Sequence, residues 1–380
     1  MLEPVHILFF VDELCQGGGA ERMLLNTIRL LPADRFRCSL VTFRINTSVE
    51  LFARLPCPHH VFPLRRTYDW NAVQTAWRIR KLIREENVRI VHTFHETSDL
   101  WAGLVTRMKG GPVLVSSRRD MGILRQAKHD IGYRLFSSRY DLVLTVSEEV
   151  RRFCIARDHL SSHKVATVYN GLELNKFTLS QRSGNVKEKL GLGPRTQLIL
   201  TLGHVRRVKG IDVLVETAAK VTRECPDSVF LVIGRNSEPE YFRKIEARIT
   251  QLGLESKIQF LGETEETILF LTDADAFFLP SRSEGFSNAL IEAMACALPC
   301  VATRVGGNPE AVDEARSGYL VESEDADAAA DRLLMLLRDP ARAKKMGTTG
   351  RRIVEHKFTA EVMIQELVSH YERLLASRRN

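Results

Sequence analysis

The chain has 380 residues, of which 44% are hydrophobic and 27% are charged, and its formal net charge is +7. This length suits two domains better than one core, and the composition is that of a soluble globular protein. No apolar run approaches the roughly 18 residues needed to span a bilayer. Seven scattered cysteines favour reduced thiols in a cytosol over a disulfide framework.

The excess of positive charge is confined to the first half of the chain. Residues 1–180 hold 26 Lys and Arg against 18 Asp and Glu, a balance of +8, and residues 181–380 hold 28 against 29, a balance of −1. Such an excess suits a nucleic acid, an anionic membrane surface or a phosphorylated substrate, and it equally suits an unevenly charged surface in water. Charge alone therefore leaves the partner open.

Strand-like apolar runs alternate with segments of helical periodicity in the first half. Residues 5–11 are predicted to form a strand rather than a signal peptide, because no basic stretch or cleavage site accompanies them. A glycine loop and a helix at 20–31 follow, and Ser147 is expected to cap a later helix. The other strands predicted in this half are residues 38–43, 90–93, 112–116, 142–146 and 165–169.

The alternation restarts after a polar, helix-poor segment at residues 179–195, which is predicted to be a linker. The strands predicted after it are residues 198–202, 229–233, 258–261, 276–279 and 300–303. The predicted helices are residues 210–224, 241–252, 287–296, 326–337, 341–356 and 360–376.

This order predicts an α/β protein of two Rossmann-like domains, each a doubly wound parallel sheet, at residues 1–178 and 196–358. Residues 359–380 are the expected final helix. Ligands of such sheets bind beyond the carboxyl ends of the strands, so a cleft between the facing domains is the expected site.

The first candidate cluster is Gly17-Gly18-Gly19-Ala20-Glu21-Arg22, between a strand and a helix. It resembles a dinucleotide fingerprint, but Arg22 stands where the third glycine belongs, and the lysine of a phosphate loop is missing. Contact with a ligand is favoured over a plain tight turn, because Glu21 and Arg22 would lie at the same strand end as the glycine loop.

Two further clusters follow predicted strand ends in the second domain. Arg206 and Lys209 are cations three residues apart beside a helix start, an arrangement that suits a diphosphate, although a solvated surface pair is the alternative. Glu284 ends a later loop, and Ser287 or Asn288 can cap the helix that contains Glu292. Carboxylates so placed can accept hydrogen bonds from sugar and ribose hydroxyls; acidic residues near a capped helix start are the alternative.

Glu284 and Glu292, with seven residues between them, resemble the E-x7-E signature of retaining glycosyltransferases of family four, which have the GT-B architecture. The other motifs occur in the order typical of that family, and the resemblance covers essentially the full chain. They are Gly17 to Arg22, Val146-Ser147-Glu148, Tyr169-Asn170-Gly171, Arg206 to Gly210, and Val305 to Glu310.

The resemblance implies a role for each matched residue. Arg206 and Lys209, with His204 beside them, would hold the donor diphosphate, and Glu292 would bind the donor ribose. Glu284 would hold hydroxyls of the transferred sugar. The first domain would bind the acceptor, the second the nucleotide sugar, and the last helix would pack on the first domain. Backbone contacts to sugar and phosphate would come from Gly285, Phe286, Ser287 and Asn288.

The chain departs from the family pattern in two places. His204 stands where many relatives have an arginine, so Arg206 is matched as a cation two places later. In the first domain, Arg118 is matched to the place where many relatives have a histidine. The resemblance also implies that the glycine loop contacts the donor phosphates and the acceptor. His95 could line the cleft from the preceding strand end, or it could be a structural histidine.

No cofactor is expected, because the nucleotide sugar is itself a substrate. No metal is expected, because Arg206, Lys209 and the helix N-terminus after Glu284 would meet the charge of the diphosphate. Asp273-Ala274-Asp275 and Asp325-Ala326-Asp327 match a D-x-D metal motif. The first pair lies at a helix end, away from the expected strand mouths. The second pair opens a helix, where acidic residues are favoured electrostatically.

The predicted function is transfer of a sugar, with retention of configuration, from a nucleotide diphosphate sugar to an acceptor hydroxyl. A UDP-sugar is the preferred donor and GDP-mannose the alternative, and the acceptor is expected to be a lipid-linked saccharide or glycolipid of envelope polysaccharide synthesis. Residues 64–89 carry seven cations beside Trp70 and Trp77. They suit a cytoplasmic protein lying peripherally on anionic lipid, or an ordinary amphipathic helix.

Two other classes of function stay open. A nucleotide-sugar epimerase of the same architecture would bind the donor but need no acceptor. A non-catalytic nucleic-acid-binding protein would use the basic half, yet no helix-turn-helix, zinc or RNA-recognition signature supports it, and no nucleic-acid partner is expected.

Overall fold

The computed structural model describes residues 3–14, 19–44, 55–64, 69–106, 110–122, 125, 127–177 and 185–378. The chain divides into two compact units. The first consists of Met1–Asn170 and Glu361–Asn380, and the second is Gly171–Ala360. In the described part, no helix combines the length and the hydropathy needed to cross a membrane.

The first unit is a parallel sheet of seven strands, in the order β3-β2-β1-β4-β5-β6-β7. Its strands are β1 (Val5–Val11), β2 (Phe36–Thr42), β3 (His59–Val61), β4 (Val88–Phe94), β5 (Val113–Arg118), β6 (Leu142–Thr145) and β7 (Val165–Thr167). Its helices are α1 (Gly19–Leu30), α2 (Trp70–Glu85), α3 (Glu96–Val105), α4 (Ala127–Phe136) and α5 (Glu148–Asp158). Ser147 caps α5 as predicted, its side chain accepting the N–H of Val150 at 3.2 Å.

The last helix, α14 (Ala360–Ser377), completes the core of the first unit. Its buried Tyr371 hydroxyl lies 2.6 Å from Nδ1 of His92 on β4, and Nε2 of His92 lies 2.8 Å from the Ser117 hydroxyl. Burial lowers the pKa of His92 to about 3, so the ring is neutral and both its nitrogens are hydrogen-bonded. The core side chains that α14 supplies are Met363, Ile364, Leu367, Val368 and Tyr371.

The second unit is a parallel sheet of six strands in the order β10-β9-β8-β11-β12-β13. Its strands are β8 (Gln197–Leu202), β9 (Ser228–Ile233), β10 (Ile258–Gly262), β11 (Ala276–Leu279), β12 (Cys300–Thr303) and β13 (Gly318–Val321). Its helices are α6 (Asn185–Lys189), α7 (Ile211–Glu224), α8 (Pro239–Leu252), α9 (Thr267–Asp273), α10 (Asn288–Ala295), α11 (Asn308–Ala311), α12 (Ala326–Arg338) and α13 (Pro340–Lys357).

The two sheets confirm the predicted fold class, and three elements differ from the sequence prediction. The strands β3 and β13 were not predicted, because they are edge strands of only three and four residues. The segment 179–195, predicted to be poor in helix, contains one short helix, α6. Val186 of α6 is buried, and its N–H donates to Asp273 at 3.1 Å. One apolar residue in five leaves no periodicity by which α6 could be predicted.

Candidate active site

Two loops meet at the carboxyl ends of the neighbouring strands β8 and β11. The 203–210 loop joins β8 to α7, and the 280–287 loop joins β11 to α10. Gly210 has φ +65°, and a Cβ there would lie 2.0 Å from the carbonyl oxygen of Pro280. Glycine at this position therefore lets the two loop backbones touch.

Lys209 and Glu284 are brought together by this contact. Nζ of Lys209 lies 2.7 Å from Oε1 of Glu284, and the Ser281 hydroxyl donates to the same oxygen at 2.6 Å. The Glu284 side chain is buried, whereas Lys209 is about one-quarter exposed. Two of the three residues predicted to be catalytic thus form one hydrogen-bonded cluster.

Arg206, the third, pairs with Glu238 rather than with Glu284. Its Nε is 3.4 Å from Oε1 of Glu238, whose other oxygen accepts the Arg207 N–H at 3.0 Å. His204 lies beside Ser237, with Nδ1 2.9 Å from the hydroxyl. Burial and the charge of Arg235 lower the pKa of His204, which favours its neutral form.

Helix α10 begins directly after the 280–287 loop, as predicted. Ser287 is its N-cap and accepts the N–H of Leu290 at 3.3 Å. Glu292 lies inside α10 and is buried. The Phe286 ring packs against Phe358 with the ring centroids 5.1 Å apart. The side chain of Phe286 therefore packs in the protein interior, which leaves only its backbone for the predicted contact with the donor.

The 304–307 loop after β12 packs against the backbone of the 280–287 loop. Gly306 has φ +51°, and a Cβ on it would lie 1.7 Å from the carbonyl oxygen of Glu284. The next N–H, that of Gly307, donates to the carbonyl oxygen of Gly285 at 3.0 Å. The position of Glu284 is therefore fixed through its own backbone as well as its side chain.

Arg282 ties the two loops together, and the sequence prediction missed it. Its guanidinium donates to both carboxylate oxygens of Asp212 at 2.8 Å, to the Arg207 carbonyl at 2.6 Å, and to Glu324 at 2.8 Å. Its backbone N–H donates to the Val208 carbonyl at 2.8 Å. The arginine holds the 203–210 loop against the 280–287 loop. The only hint of its role in the sequence is its position, two residues before Glu284.

The first unit holds the remaining predicted residues. Gly17 and Gly18 lie outside the described residues, and Gly19, Glu21 and Arg22 form the first turn of α1. Oε1 of Glu21 is 3.9 Å from Nε2 of His95 at the end of β4.

His95 has a strained backbone. Its φ and ψ are 71° and 157°, a region that is nearly restricted to glycine and costs about 1–3 kcal/mol. Strain of this kind is concentrated at functional positions, which favours a functional histidine over a purely structural one.

Arg118 is not brought to a surface. Its side chain is buried, pairs with Asp99, and lies 3.7 Å from the centroid of the Tyr133 ring. The surroundings of Arg118 therefore favour a structural role over the ligand contact predicted for it.

The next residue, Arg119, faces the other way. It donates to the Asn170 side chain at 2.5 Å, and its guanidinium carbon lies 6.0 Å from the centroid of the Phe94 ring. Burial lowers the pKa of Arg119 to about 10, against the opposing charges of Glu21 and Asp120. Arg119 therefore lies near the predicted residue Glu21. Matching the histidine of the family to Arg119 instead of Arg118 would have identified it from the sequence.

The two D-x-D segments make structural contacts. Asp273 ends α9 and accepts from Val186, and Asp275 accepts the N–H of Leu198 at 2.8 Å. Asp325 is the N-cap of α12, and Asp327 pairs with Lys220. Within the described ranges, no three His, Cys, Asp or Glu residues cluster as a metal site.

Comparison with known families gives two matches, one for each half of the chain. A model described as Glycosyltransferase Family 4 matches residues 17–176, and a model described as Glycosyl transferases group 1 matches residues 183–353.

Three curated bacterial relatives illustrate the range of similarity. N-acetyl-alpha-D-glucosaminyl L-malate synthase of Bacillus anthracis is 30% identical over 57% of this chain, which spans only 55% of that relative. The alpha-1,3-galactosyltransferase of Escherichia coli that acts on UDP-Gal and alpha-D-GlcNAc-diphosphoundecaprenol is 24% identical, over 85% of each chain. A GDP-mannose-dependent phosphatidylinositol monomannoside mannosyltransferase of Corynebacterium glutamicum is 29% identical, over 85% of this chain and 89% of the relative.

Two solved structures share the fold. A glycosyltransferase from Rickettsia africae has a TM-score of 0.88 at 22% identity, covering 98% of this chain and 99% of the other. HepE of Anabaena, in complex with UDP-glucose, has a TM-score of 0.84 at 18% identity, covering 97% and 99%.

Proposed function

Because its two halves match family models over residues 17–176 and 183–353, this chain belongs to glycosyltransferase family four, and we propose that it transfers a sugar from a nucleotide diphosphate sugar to an acceptor hydroxyl. The observation that carries the proposal is the contact of Lys209 with the buried Glu284 at the carboxyl ends of β8 and β11, beside the start of α10. A cation and a helix N-terminus suit a diphosphate, and a carboxylate can accept hydrogen bonds from sugar hydroxyls.

The two halves of the donor are bound by different groups in this proposal. Lys209 and Arg206 hold the diphosphate, and Glu284 accepts hydrogen bonds from the sugar. An ammonium has three donors, so Lys209 can keep its bond to Glu284 and still donate to a phosphate oxygen. Glu292 binds the ribose from inside α10.

The transfer proceeds with retention, by attack on the face that the diphosphate leaves. The bond between the anomeric carbon and the phosphate oxygen breaks while the acceptor oxygen bonds to that carbon. The departing oxygen takes the acceptor proton. This path needs positioning and stabilisation of negative charge rather than a protein nucleophile, and Lys209 and Arg206 supply positive charge where the leaving group forms.

The donor is a UDP-sugar and the acceptor a lipid-linked saccharide or glycolipid. Support for the donor comes from the E. coli relative and from the complex of HepE with UDP-glucose. Support for the acceptor comes from relatives whose substrates are a diphosphoundecaprenol and a phosphatidylinositol. GDP-mannose, used by the C. glutamicum relative, is the alternative donor. An epimerase would act without an acceptor, so release of free UDP only in the presence of acceptor distinguishes the two activities.

Two substitutions test the donor site. Glu292→Ala is expected to weaken UDP binding on the order of 10- to 100-fold, because a hydrogen bond to a charged group is lost. Glu284→Gln is expected to lower turnover with little change in UDP affinity, because sugar contacts matter most while the bond breaks. Calorimetry with UDP and initial rates separate the two effects. Glu216→Gln, which changes a surface ion pair on α7, is the control; wild-type behaviour of both test variants would refute the site.

Transfer without a metal ion is part of the proposal. Lys209, Arg206 and the N-terminus of α10 are expected to neutralise the leaving diphosphate, a task that a metal performs in other enzymes. Activity in excess EDTA should stay within a few-fold of that with magnesium, a change of less than about 1.4 kcal/mol in the barrier. Complete loss in EDTA, restored by magnesium or manganese, would contradict this assignment.

A further inference from the structure

The large hydrophobic side chains that are exposed in the described part of the chain all lie on three helices of the first unit. Two tryptophans are the most prominent, with Trp70 74% exposed and Trp77 65% exposed. The whole set is Trp70, Val73 and Trp77 on α2, Leu104 on α3, and Ile131 and Leu135 on α4. Single exposed apolar residues are common in proteins, but this concentration on one layer is not.

These three helices are neighbours on one face of the sheet. Arg80 of α2 donates from Nε to the carbonyl oxygen of Val105 at the end of α3, at 2.8 Å. A Cβ on Gly132 of α4 would lie 2.9 Å from the side chain of Leu100 on α3. The exposed apolar side chains therefore lie on three adjacent helices, whose outer surface is here called the α2–α4 face.

The exposed stripe of α2 combines apolar and basic residues. Trp70, Val73, Trp77, Lys81 and Arg84 are spaced by three or four residues, so they lie on one side of the helix. Lys81 lies 5.8 Å from the centroid of the Trp77 ring. Aromatic rings next to long cationic side chains are typical of a helix that lies at a membrane interface.

The charge of the α2–α4 face is complementary to an anionic surface. Among the described side chains exposed on these helices, the basic ones are Arg78, Lys81, Arg84 and Arg134, and the one acidic side chain is Glu85. Glu85 is already paired with Lys81 at 3.6 Å. Each cation near an anionic bilayer contributes about 1 kcal/mol to binding in general.

A basic cavity opens at the carboxyl-terminal ends of the same helices. Its volume is about 940 Å³, and Ile83 of α2, Thr106 after α3 and Arg139 after α4 are among its lining residues. Five cations and one acid line it: Arg84, Arg89, Arg139, Lys164 and Arg378, with Asp141. The cavity lies where β4 and β5 begin, at the sheet edge opposite to the carboxyl ends of the strands.

We infer that the α2–α4 face docks on an anionic phospholipid bilayer. Trp70, Trp77 and the other apolar side chains enter the interface, and the surrounding cations and the basic cavity meet the lipid phosphates. This inference goes beyond the proposed function, because docking itself requires neither donor nor acceptor.

Vesicle flotation of the full chain tests the inference. We expect binding to vesicles of equal parts phosphatidylglycerol and phosphatidylcholine, release at high salt, and little binding to phosphatidylcholine alone. Replacing Arg78, Lys81 and Arg84 by Gln should weaken binding on the order of 100-fold. The matched control replaces three exposed cations of the second unit, Arg243, Arg316 and Arg352, and should bind as the wild type does.

Tryptophan fluorescence identifies the face that docks. The chain has three tryptophans, and the third, Trp101, is buried. Brominated lipid is expected to quench Trp70 and Trp77 but not Trp101, so a Trp70→Phe/Trp77→Phe variant should lose most of the quenching. Unchanged UDP binding by each variant shows that it folds, and it separates failed docking from a failed proposal of sugar transfer.

Three results would overturn the inference. They are equal recovery from anionic and neutral vesicles, quenching that persists in the Trp70→Phe/Trp77→Phe variant, and a concentration-dependent dimer that Trp70→Ala/Trp77→Ala abolishes while vesicle binding is unchanged. The last of these would assign the α2–α4 face to a second copy of the chain.

Discussion

Replacing Lys209 with alanine is expected to lower the turnover of sugar transfer by roughly 100- to 1000-fold, the usual range for loss of a group that stabilises developing charge. The effect has two sources. The leaving diphosphate loses its cation, and the buried Glu284 loses a partner at 2.7 Å. Initial rates at saturating donor measure this loss.

Lys220→Ala is the matched control for this prediction. It removes a lysine from an ion pair with Asp327 in the same unit, where it contacts neither loop of the candidate site. Its turnover should stay near that of the wild type. Arg206→Ala should also lower the rate, by about 10-fold or more. If instead His204→Ala were damaging and Arg206→Ala harmless, the matching of this variant motif to the family would be wrong.

Substitution of Gly306 by alanine is expected to abolish most activity, although it adds only a methyl group and removes no polar side chain. The added Cβ would lie 1.7 Å from the carbonyl oxygen of Glu284, so the 280–287 loop must move. Misplacing a reacting group by about 1 Å can cost on the order of 100-fold in rate. Initial rates measure the loss, and the melting temperature shows whether the fold is retained.

Gly262→Ala separates the clash from backbone strain. Gly262 also has a positive φ, +69°, but a Cβ there would meet nothing within 4 Å. Both variants carry a strained backbone, and only Gly306→Ala displaces Glu284. Equal activity of the two variants would mean that the exact position of the 280–287 loop does not limit the rate.

The Lys209–Glu284 cluster was within reach of the sequence, although the two residues are 75 positions apart. Both follow strands that the apolar pattern predicts. The carboxyl ends of parallel strands share one edge of a sheet, so residues that follow them are expected to be close. What the sequence did not supply is the strand order, which makes β8 and β11 direct neighbours.

The side-chain directions in the first unit could not be predicted in the same way. Arg118 and Arg119 are consecutive, and successive side chains at a strand end point to opposite faces. One of the two must therefore be buried against α3 and α4, and the motif does not say which. The structure assigns that place to Arg118, because Asp99 and Tyr133 are there to receive its charge.

Arg282 and Phe286 show a different limit. Both lie in the most informative segment of the sequence, but their partners come from elements with no motif of their own. Arg282 needs Asp212 and Glu324, and Phe286 needs Phe358. Contacts between distant surface residues and single aromatic rings leave no periodic signal, so only the folded structure could identify them.

The return of the chain to the first unit has a consequence for its biosynthesis. The core of that unit contains side chains from α14, and the ribosome makes α14 only after the whole second unit. His92 cannot meet Tyr371 until then, so Nδ1 of His92 on β4 is without its Tyr371 partner throughout elongation. Domains usually fold in the order in which they are synthesised. Here the first-made unit must finish last, and a nascent chain that stalls before residue 361 would leave it exposed to chaperones and proteases.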